Sequence, residues 1–233
     1  MTARYPDIAE DARPGPVPAM EWRRQTHFGL YRSILKRGID VLAVLLSLPV
    51  ILPLLGILAL AISLDGHSPF YRQKRLGRNG RIFTLWKLRS MVAGAEAQLE
   101  AHLSADPAAR AEWTLTQKLK KDPRITGIGR VLRKSSADEL PQFWNVLRGE
   151  MSLVGPRPER PELIEGFKEE IPHYNVRHNI KPGVTGWAQV HGLRGDTCLR
   201  ERVKFDLDYI ENWNFALDLQ IMLMTLYKRN GAC

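Results

Sequence analysis

The chain has 233 residues, enough for one domain or at most two with a buried core. Its formal net charge of +9 asks for an anionic partner: nucleic acid, an anionic membrane face or a phosphorylated small substrate. Its two cysteines, Cys198 and Cys233, lie far apart with no Cys-x-x-Cys and no clustered histidines, which excludes a disulfide framework and a zinc site and suits a reducing compartment.

Residues 1–30 include Pro6, Pro14, Pro16 and Pro18 with few large apolar groups, and are predicted to form a flexible arm. Residues 31–66 carry the dominant feature, the uncharged 24-residue run VLAVLLSLPVILPLLGILALAISL from Val41 to Leu64. At about 1.5 Å per residue, a helix of this length crosses a hydrocarbon core of about 30 Å. A secretory signal fits poorly, because the run starts beyond residue 40 and is too long, although Ala59-Leu60-Ala61 resembles a cleavage site. Pro49 and Pro53 each remove a helical hydrogen bond near the middle. Both flanks are basic, with Arg32, Lys36 and Arg37 before the run and Arg72, Lys74 and Arg75 after it. The positive-inside rule therefore asks both ends to stay cytoplasmic. A helix broken at Pro49 that dips into one leaflet and returns satisfies both facts better than a simple span. The Ser47 hydroxyl is a candidate to repair the broken backbone.

Residues 67–233 are predicted to form one domain. The stretch PFYRQKRLGRNGRIFTLWKLRSM reads as a β-hairpin turning at Asn79-Gly80. Residues 92–120 read as two helices, with Pro107 near the start of the second. Further helices are predicted near Pro141, around 160–171 and over 199–212. IKPGVTGWAQVHGLRG reads as loop with short extended pieces. FALDLQIMLMTLYKR is apolar on one face, and is either a core helix or one lying in a membrane interface.

The stretch SSADELPQF sets Asp138 and Glu139 side by side. Ser136 and Glu139 match a capping box, but that register puts Pro141 where its missing N–H should bond. Asp138 as the cap tolerates Pro141 better and leaves Glu139 without a structural task. The surroundings favour chemistry. Seven Lys or Arg and no acid lie between Tyr71 and Ser90, and seven more lie from Lys118 to Lys134 against Asp122 alone. Two one-signed runs beside a carboxylate pair suit a polyanion. Arg157, between Pro156 and Pro158, is a stiffly held guanidinium fit for a phosphate. Adjacent carboxylates among phosphates are also the usual way to hold Mg²⁺.

These pieces in this order resemble the monotopic polyprenyl-phosphate phosphoglycosyl transferases, bacterial sugar transferases that initiate surface-glycan assembly. The match runs from about Lys36 to Lys228. It rests on RGIDVLAVLLSLPVIL, the hairpin stretch above, DPRITGIGRVLRKSSADELPQFWNVLRGEMSLVGPRP and KPGVTGWAQVHG. The resemblance implies an α/β fold: a small membrane-associated catalytic domain with a proline-broken re-entrant helix, a β-hairpin and interfacial amphipathic helices. It implies a bacterial inner-membrane protein whose catalytic domain, residues 67–233, lies on the cytoplasmic face.

The implied reaction has two steps. Asp138 attacks the sugar-bearing phosphorus of a UDP-sugar and UMP leaves; polyprenyl (undecaprenyl) phosphate then takes the phosphosugar. By motif position, Glu139 is the partner acid, with Asp138 and Glu139 both metal ligands for Mg²⁺. Lys87, Arg133 and Arg157 are phosphate-binding, and Arg194, where loop length varies between members, is a further substrate-binding candidate. Two departures stand out: Leu48 separates Ser47 from Pro49 where members often have Ser-Pro, and Ala137 stands where Leu is common. The tail from Gly192 onward is similar to members that use UDP-glucose. The chain lacks the additional N-terminal membrane region of many members and so resembles the minimal catalytic form. Membrane lipid and later glycosyltransferases of the same pathway are the implied partners, and nucleic acid is not. Three alternatives stay open: UDP-galactose or an N-acetylated sugar as donor, direct transfer with Asp138 as general base or metal ligand, and a non-catalytic, membrane-anchored basic adaptor. The adaptor lacks the interleaved aromatics that bind single strands.

Overall fold

A computed structural model describes Gly29 and residues 31–116, 119–193 and 199–227. Apart from Gly29, the predicted N-terminal arm lies outside the described residues, as do Arg194, Cys198 and Cys233. The described chain divides into two compact units, one holding residues 94–124 and the other residues 29–93 and 125 onward.

The smaller unit is a helix pair, α2 (Ala95–Ala105) and α3 (Pro107–Thr116), matching the two helices expected over 92–120. Pro107 is the first residue of α3, a position whose N–H has no helical partner to lose. The Asp106 carboxylate accepts from the N–H groups of Ala108 and Ala109 at 2.9 and 3.2 Å, capping the new helix. Leu103, Ala109 and Leu119 form its core, with Leu99 and Trp113 against them.

The larger unit begins with one π-helical turn, Tyr31–Leu35, that runs into α1 (Lys36–Ser63). Both Pro49 and Pro53 lie inside α1. An 18-residue window of this helix has a mean hydropathy of 2.7 with only 6% of its residues buried. A leucine-rich surface this exposed needs lipid or a partner around it, so the chain is membrane-associated. Ser47 Oγ donates to the Val44 carbonyl at 2.7 Å. That carbonyl lies one residue before the one that Pro49 leaves without its helical N–H, so the expected direct repair is not the bond formed.

Both ends of α1 are tied down by charge. Lys36 pairs with Asp218 at 2.9 Å, and Arg37 donates to the Leu147 carbonyl at 2.8 Å. At the far end Arg89 donates to the Ile62 carbonyl at 3.1 Å and to Asp65 at 2.6 Å.

The expected hairpin is present. β1 (Phe70–Leu76) pairs antiparallel with β2 (Ile82–Leu88), Phe70 opposite Leu88 and Leu76 opposite Ile82. Asn79 and Gly80 turn the chain with φ of 56° and 73°, the left-handed conformation these residue types tolerate. Helix α4 (Gly127–Ser135) falls where no helix was predicted. Its start is marked by Thr126, whose hydroxyl accepts from Gly129 N–H at 2.9 Å. Gly127 and Gly129 hide the helical pattern, and a Cβ on Gly129 would lie 2.0 Å from the Ser90 carbonyl, so packing demands the glycine.

A 3₁₀ turn, Ala137–Glu139, leads into α5 (Gln142–Leu147). β3 (Ser152–Val154) pairs in parallel with β4 (Gly183–Thr185), two short strands that the loop reading only partly anticipated. α6 (Pro161–Glu170) lies between them in sequence, and α7 (Trp187–Val190), α8 (Leu199–Asn212) and α9 (Phe215–Tyr227) complete the unit. Val154, Ile180, Val190, Tyr209, Trp213 and Ile221 form the core under α8 and α9. Val44 of α1 packs with Phe83, Leu85, Val146 and Met151, which joins the base of the apolar helix to the hairpin and α5. In α9, Ile221 is buried while Leu219, Leu223 and Leu226 are exposed, so one face serves the core and another faces outward.

Candidate active site

The two carboxylates sit where α4 ends and α5 begins. Ser136 closes α4 in the left-handed conformation, φ 55°, and donates its N–H to the carbonyl of Arg133. Neither capping arrangement expected for SSADELPQF forms. Ser136 ends α4 and leads into the 3₁₀ turn without a side-chain cap bond, and α5 starts at Gln142 after Pro141, also with no side-chain cap. Asp138 and Glu139 are thus held on the 3₁₀ turn without structural duty as caps.

Four of the expected residues meet here. Lys87, from β2, places Nζ 2.8 Å from Glu139 Oε1 and 3.8 Å from Asp138 Oδ2. Arg157 brings Nη2 to 3.0 Å from the same Glu139 oxygen. Glu139 is therefore clamped between two cations. Among the described residues, by contrast, the Asp138 side chain accepts no hydrogen bond, and Lys87 is the cation paired with it. Arg133 lies one α4 turn before the carboxylates and spends Nε on Ser90 Oγ at 2.9 Å, near enough for its charge to act on Asp138. Arg194, the sixth candidate, lies outside the described residues.

The electrostatics separate the two acids. Burial pushes the Asp138 pKa up, with Lys87 opposing and the negative Glu139 reinforcing. Burial works on Glu139 in the same direction, but Arg157 and Lys87 outweigh it and hold that carboxyl well below the usual range. In return Glu139 raises the Arg157 pKa, against its burial. Glu139 is thus a fixed charge that orients Lys87 and Arg157. Asp138 is a partly desolvated carboxylate with its lone pairs available. Mg²⁺ binds one or two carboxylates and completes its shell with water and phosphate oxygens. Asp138 fits that demand, and Glu139 still has its second oxygen. Among the described residues no three His, Cys, Asp or Glu gather into a protein-made cage.

Several positioning residues escaped the sequence reading. Asn145, fully buried on α5, donates to the Thr84 carbonyl at 2.7 Å and accepts from Trp86 N–H at 3.2 Å. It thereby acts as a strand partner for β2 just before Lys87. The loop carrying Arg157 is held from three sides. Leu76 N–H donates to the Glu159 carbonyl at 3.0 Å, Arg75 reaches the Pro158 carbonyl at 3.1 Å, and Arg177 reaches the Arg157 carbonyl at 3.1 Å. Where that loop crosses β4, a Cβ on Gly183 would lie 2.1 Å from the Gly155 nitrogen, so only glycine allows the approach. The repeated Gly-Pro pairs were the visible signal for this crossing; Asn145 and Arg177 gave none, because their partners are distant in sequence.

Fold and site define a small membrane-associated α/β protein whose carboxylate turn is flanked by Lys87 and Arg157. The sequence profile described as bacterial sugar transferase matches residues 31–230, and the chain belongs to this family. It is 47% identical over 201 residues to the UDP-galactose-lipid carrier transferase of Erwinia amylovora, covering 85% of this chain and 41% of that protein. It is 40% identical over 200 residues to the UDP-glucose:undecaprenyl-phosphate glucose-1-phosphate transferase of Escherichia coli (strain K12), covering 84% and 40%. With the exopolysaccharide production protein ExoY of Sinorhizobium fredii (strain NBRC 101917 / NGR234) the identity is 42% over 195 residues, covering 83% and 84%. The chain spans less than half the length of the first two.

Proposed function

We propose that this chain moves a hexose-1-phosphate from a UDP-sugar to polyprenyl (undecaprenyl) phosphate with release of UMP, the step that initiates an exopolysaccharide or other surface glycan. The observation that carries the reading is the asymmetry of the carboxylates, Glu139 clamped by Lys87 and Arg157, Asp138 left with uncommitted oxygens.

In the first step an Asp138 oxygen attacks the sugar-bearing phosphorus, forming an acyl-phosphate bond as the bond to UMP breaks. Lys87, Arg133 and Arg157 bind the diphosphate and stabilise charge on the transferring group. In the second step a phosphate oxygen of the lipid attacks the same phosphorus and Asp138 is released unchanged. Asp138, with Glu139 beside it, would hold Mg²⁺; a bound divalent ion would neutralise diphosphate charge and favour departure of UMP. A second reading, direct transfer with Asp138 as general base, is favoured by the raised pKa of that carboxyl.

The donor we propose first is UDP-glucose, from the tail residues. Relatives named for galactose and for glucose transfer match at 47% and 40% identity, so overall similarity does not choose the sugar. We also propose a re-entrant path for α1 with the catalytic unit on the cytoplasmic face. In support, both ends of the helix bond to the same compact unit, through Asp218 and Leu147 at one end and Arg89 at the other. Later glycosyltransferases of the pathway are the proposed consumers of the product.

The test is UMP release from a panel of UDP-sugars, with polyprenyl phosphate and with or without Mg²⁺. The reading expects metal-dependent UMP release with one preferred sugar. No release from any donor would leave the basic adaptor as the better account. Cysteines placed at the two ends of α1 are expected to label from one membrane face; labelling from opposite faces would restore a simple span.

A further inference from the structure

Beside the carboxylate turn, α1 and the segment from Leu140 to Leu147 enclose an open cavity of about 310 Å³, at the small end of ligand pockets, about 300–1,000 Å³. Every side chain that lines it is apolar. Leu48, Leu52 and Leu55 form the α1 wall, spaced so that they share one helical face. Trp144 stands opposite, and it and Leu52 are more than half exposed at 55% and 56%, so the groove is open along its rim. Trp86 and Leu140 also line it, and Leu140 directly follows Glu139 of the carboxylate turn.

A nucleotide sugar does not suit such a lining, because its hydroxyls and phosphates would be buried without partners. An apolar chain ending in a phosphate does, since the groove wall at Leu140 and Pro141 continues directly from the carboxylate turn while the opposite wall follows the apolar face of α1. The charge distinguishes two such lipids. A terminal phosphate monoester carries nearly two negative charges and matches Lys87, Arg133 and Arg157 better than the single charge of a phospholipid diester. We propose that this groove holds the first units of the acceptor's isoprenoid chain, so that its phosphate is delivered to Asp138 while the rest of the chain runs along α1 into the bilayer. The assignment rests on the transferase reading above and adds where the acceptor lies.

The experiment is photo-crosslinking of the full chain in detergent micelles, using an isoprenyl phosphate with a diazirine in its second unit, followed by peptide mapping. Label is expected on peptides covering 48–55 and 140–147. Excess undecaprenyl phosphate is expected to compete it away, and excess phosphatidylglycerol is not. Trp144→Ala should lower the labelling about tenfold, as loss of one aromatic contact predicts, and Trp144→Phe should restore most of it. Label confined to other segments would overturn the proposal. So would equal competition by phosphatidylglycerol, which would make the groove a general lipid-contact surface. The wild-type map stands even where Trp144→Ala fails to fold. Failure of the transferase reading shows separately: a chain that releases no UMP but is labelled here keeps the groove and loses the reaction.

Discussion

Two clusters in the larger unit have the same composition, two carboxylates and two principal cations, and behave in opposite ways. In one, Arg177 pairs with Asp206 at 2.6 Å and with Glu159 at 3.6 Å, and Arg202 pairs with Glu159 at 3.0 Å. The Arg177 and Asp206 side chains are 1% and 3% exposed, and both acids bond at close range. In the other, Lys87 and Arg157 converge on Glu139 and, among the described residues, leave Asp138 without a hydrogen bond, its side chain 12% exposed. In the first cluster each carboxylate is bonded to an arginine at close range and buried, an arrangement suited to holding structure in place. The incompletely paired one keeps a lone pair for an incoming atom. On the proposed function, the reacting cluster differs from the structural one in how pairing is completed, not in residue type.

That contrast can be broken from either side. The largest effect is expected from Asp138→Asn, which keeps shape and removes the attacking charge. Turnover should fall by about 1,000-fold or more, with thermal stability and membrane partition near those of the parent. Near-normal rates would show that the free carboxylate is not the reacting group. In the paired cluster Arg177→Met strands the buried Asp206, while Glu159 keeps Arg202, and should cost about 3–5 kcal/mol. A denaturant titration in detergent measures it, and an unchanged midpoint would show that the cluster carries no structural role. Asn145→Ala leaves the Trp86 N–H and Thr84 carbonyl without that partner. About 2–3 kcal/mol should be lost, with a rise in KM for the donor as Lys87 loses its support; a KM equal to the parent's would detach Asn145 from the site.

How far the sequence carried this picture depends on the range of the contacts. The hairpin was legible because Asn79-Gly80 encodes its turn locally, and α3 because Pro107 can stand only near a helix start. The site was legible as composition: one-signed charge runs beside Asp138 and Glu139. What failed was reading SSADELPQF by local rules. Ser136 adopts φ 55° to end α4, a helix whose pattern Gly127 and Gly129 had concealed. The pairings Arg177–Asp206 and Asn145–Thr84 span 29 and 61 positions, so no local spacing announces them.

The smallest predicted effects concern pH. Burial lowers the His178 pKa to about 4, and the positive charge of Arg177 adds to it. The unfolded chain binds that proton nearer pH 6.5, so stability is fully present above that value and is lost as pH falls towards 4. The loss should be on the order of 2 kcal/mol, and His178→Gln should flatten the profile. Catalysis shows a different limb: the raised Asp138 pKa means activity declines on acidification at a higher pH than an ordinary aspartate would set. The Glu139 charge, held by its cations, persists through that range. A limb at the pH of a free carboxylate would contradict the desolvation of Asp138.

The measurement that tests the central claim most directly is to mix stoichiometric enzyme with radiolabelled UDP-glucose, UDP-galactose or an N-acetylated counterpart, without lipid, and map the label after a rapid quench. The account predicts one equivalent of UMP released and a hydroxylamine-sensitive phosphosugar on the peptide of Asp138, discharged on adding polyprenyl phosphate. Label on Glu139, or transfer to lipid with no labelled protein at any time, would contradict it.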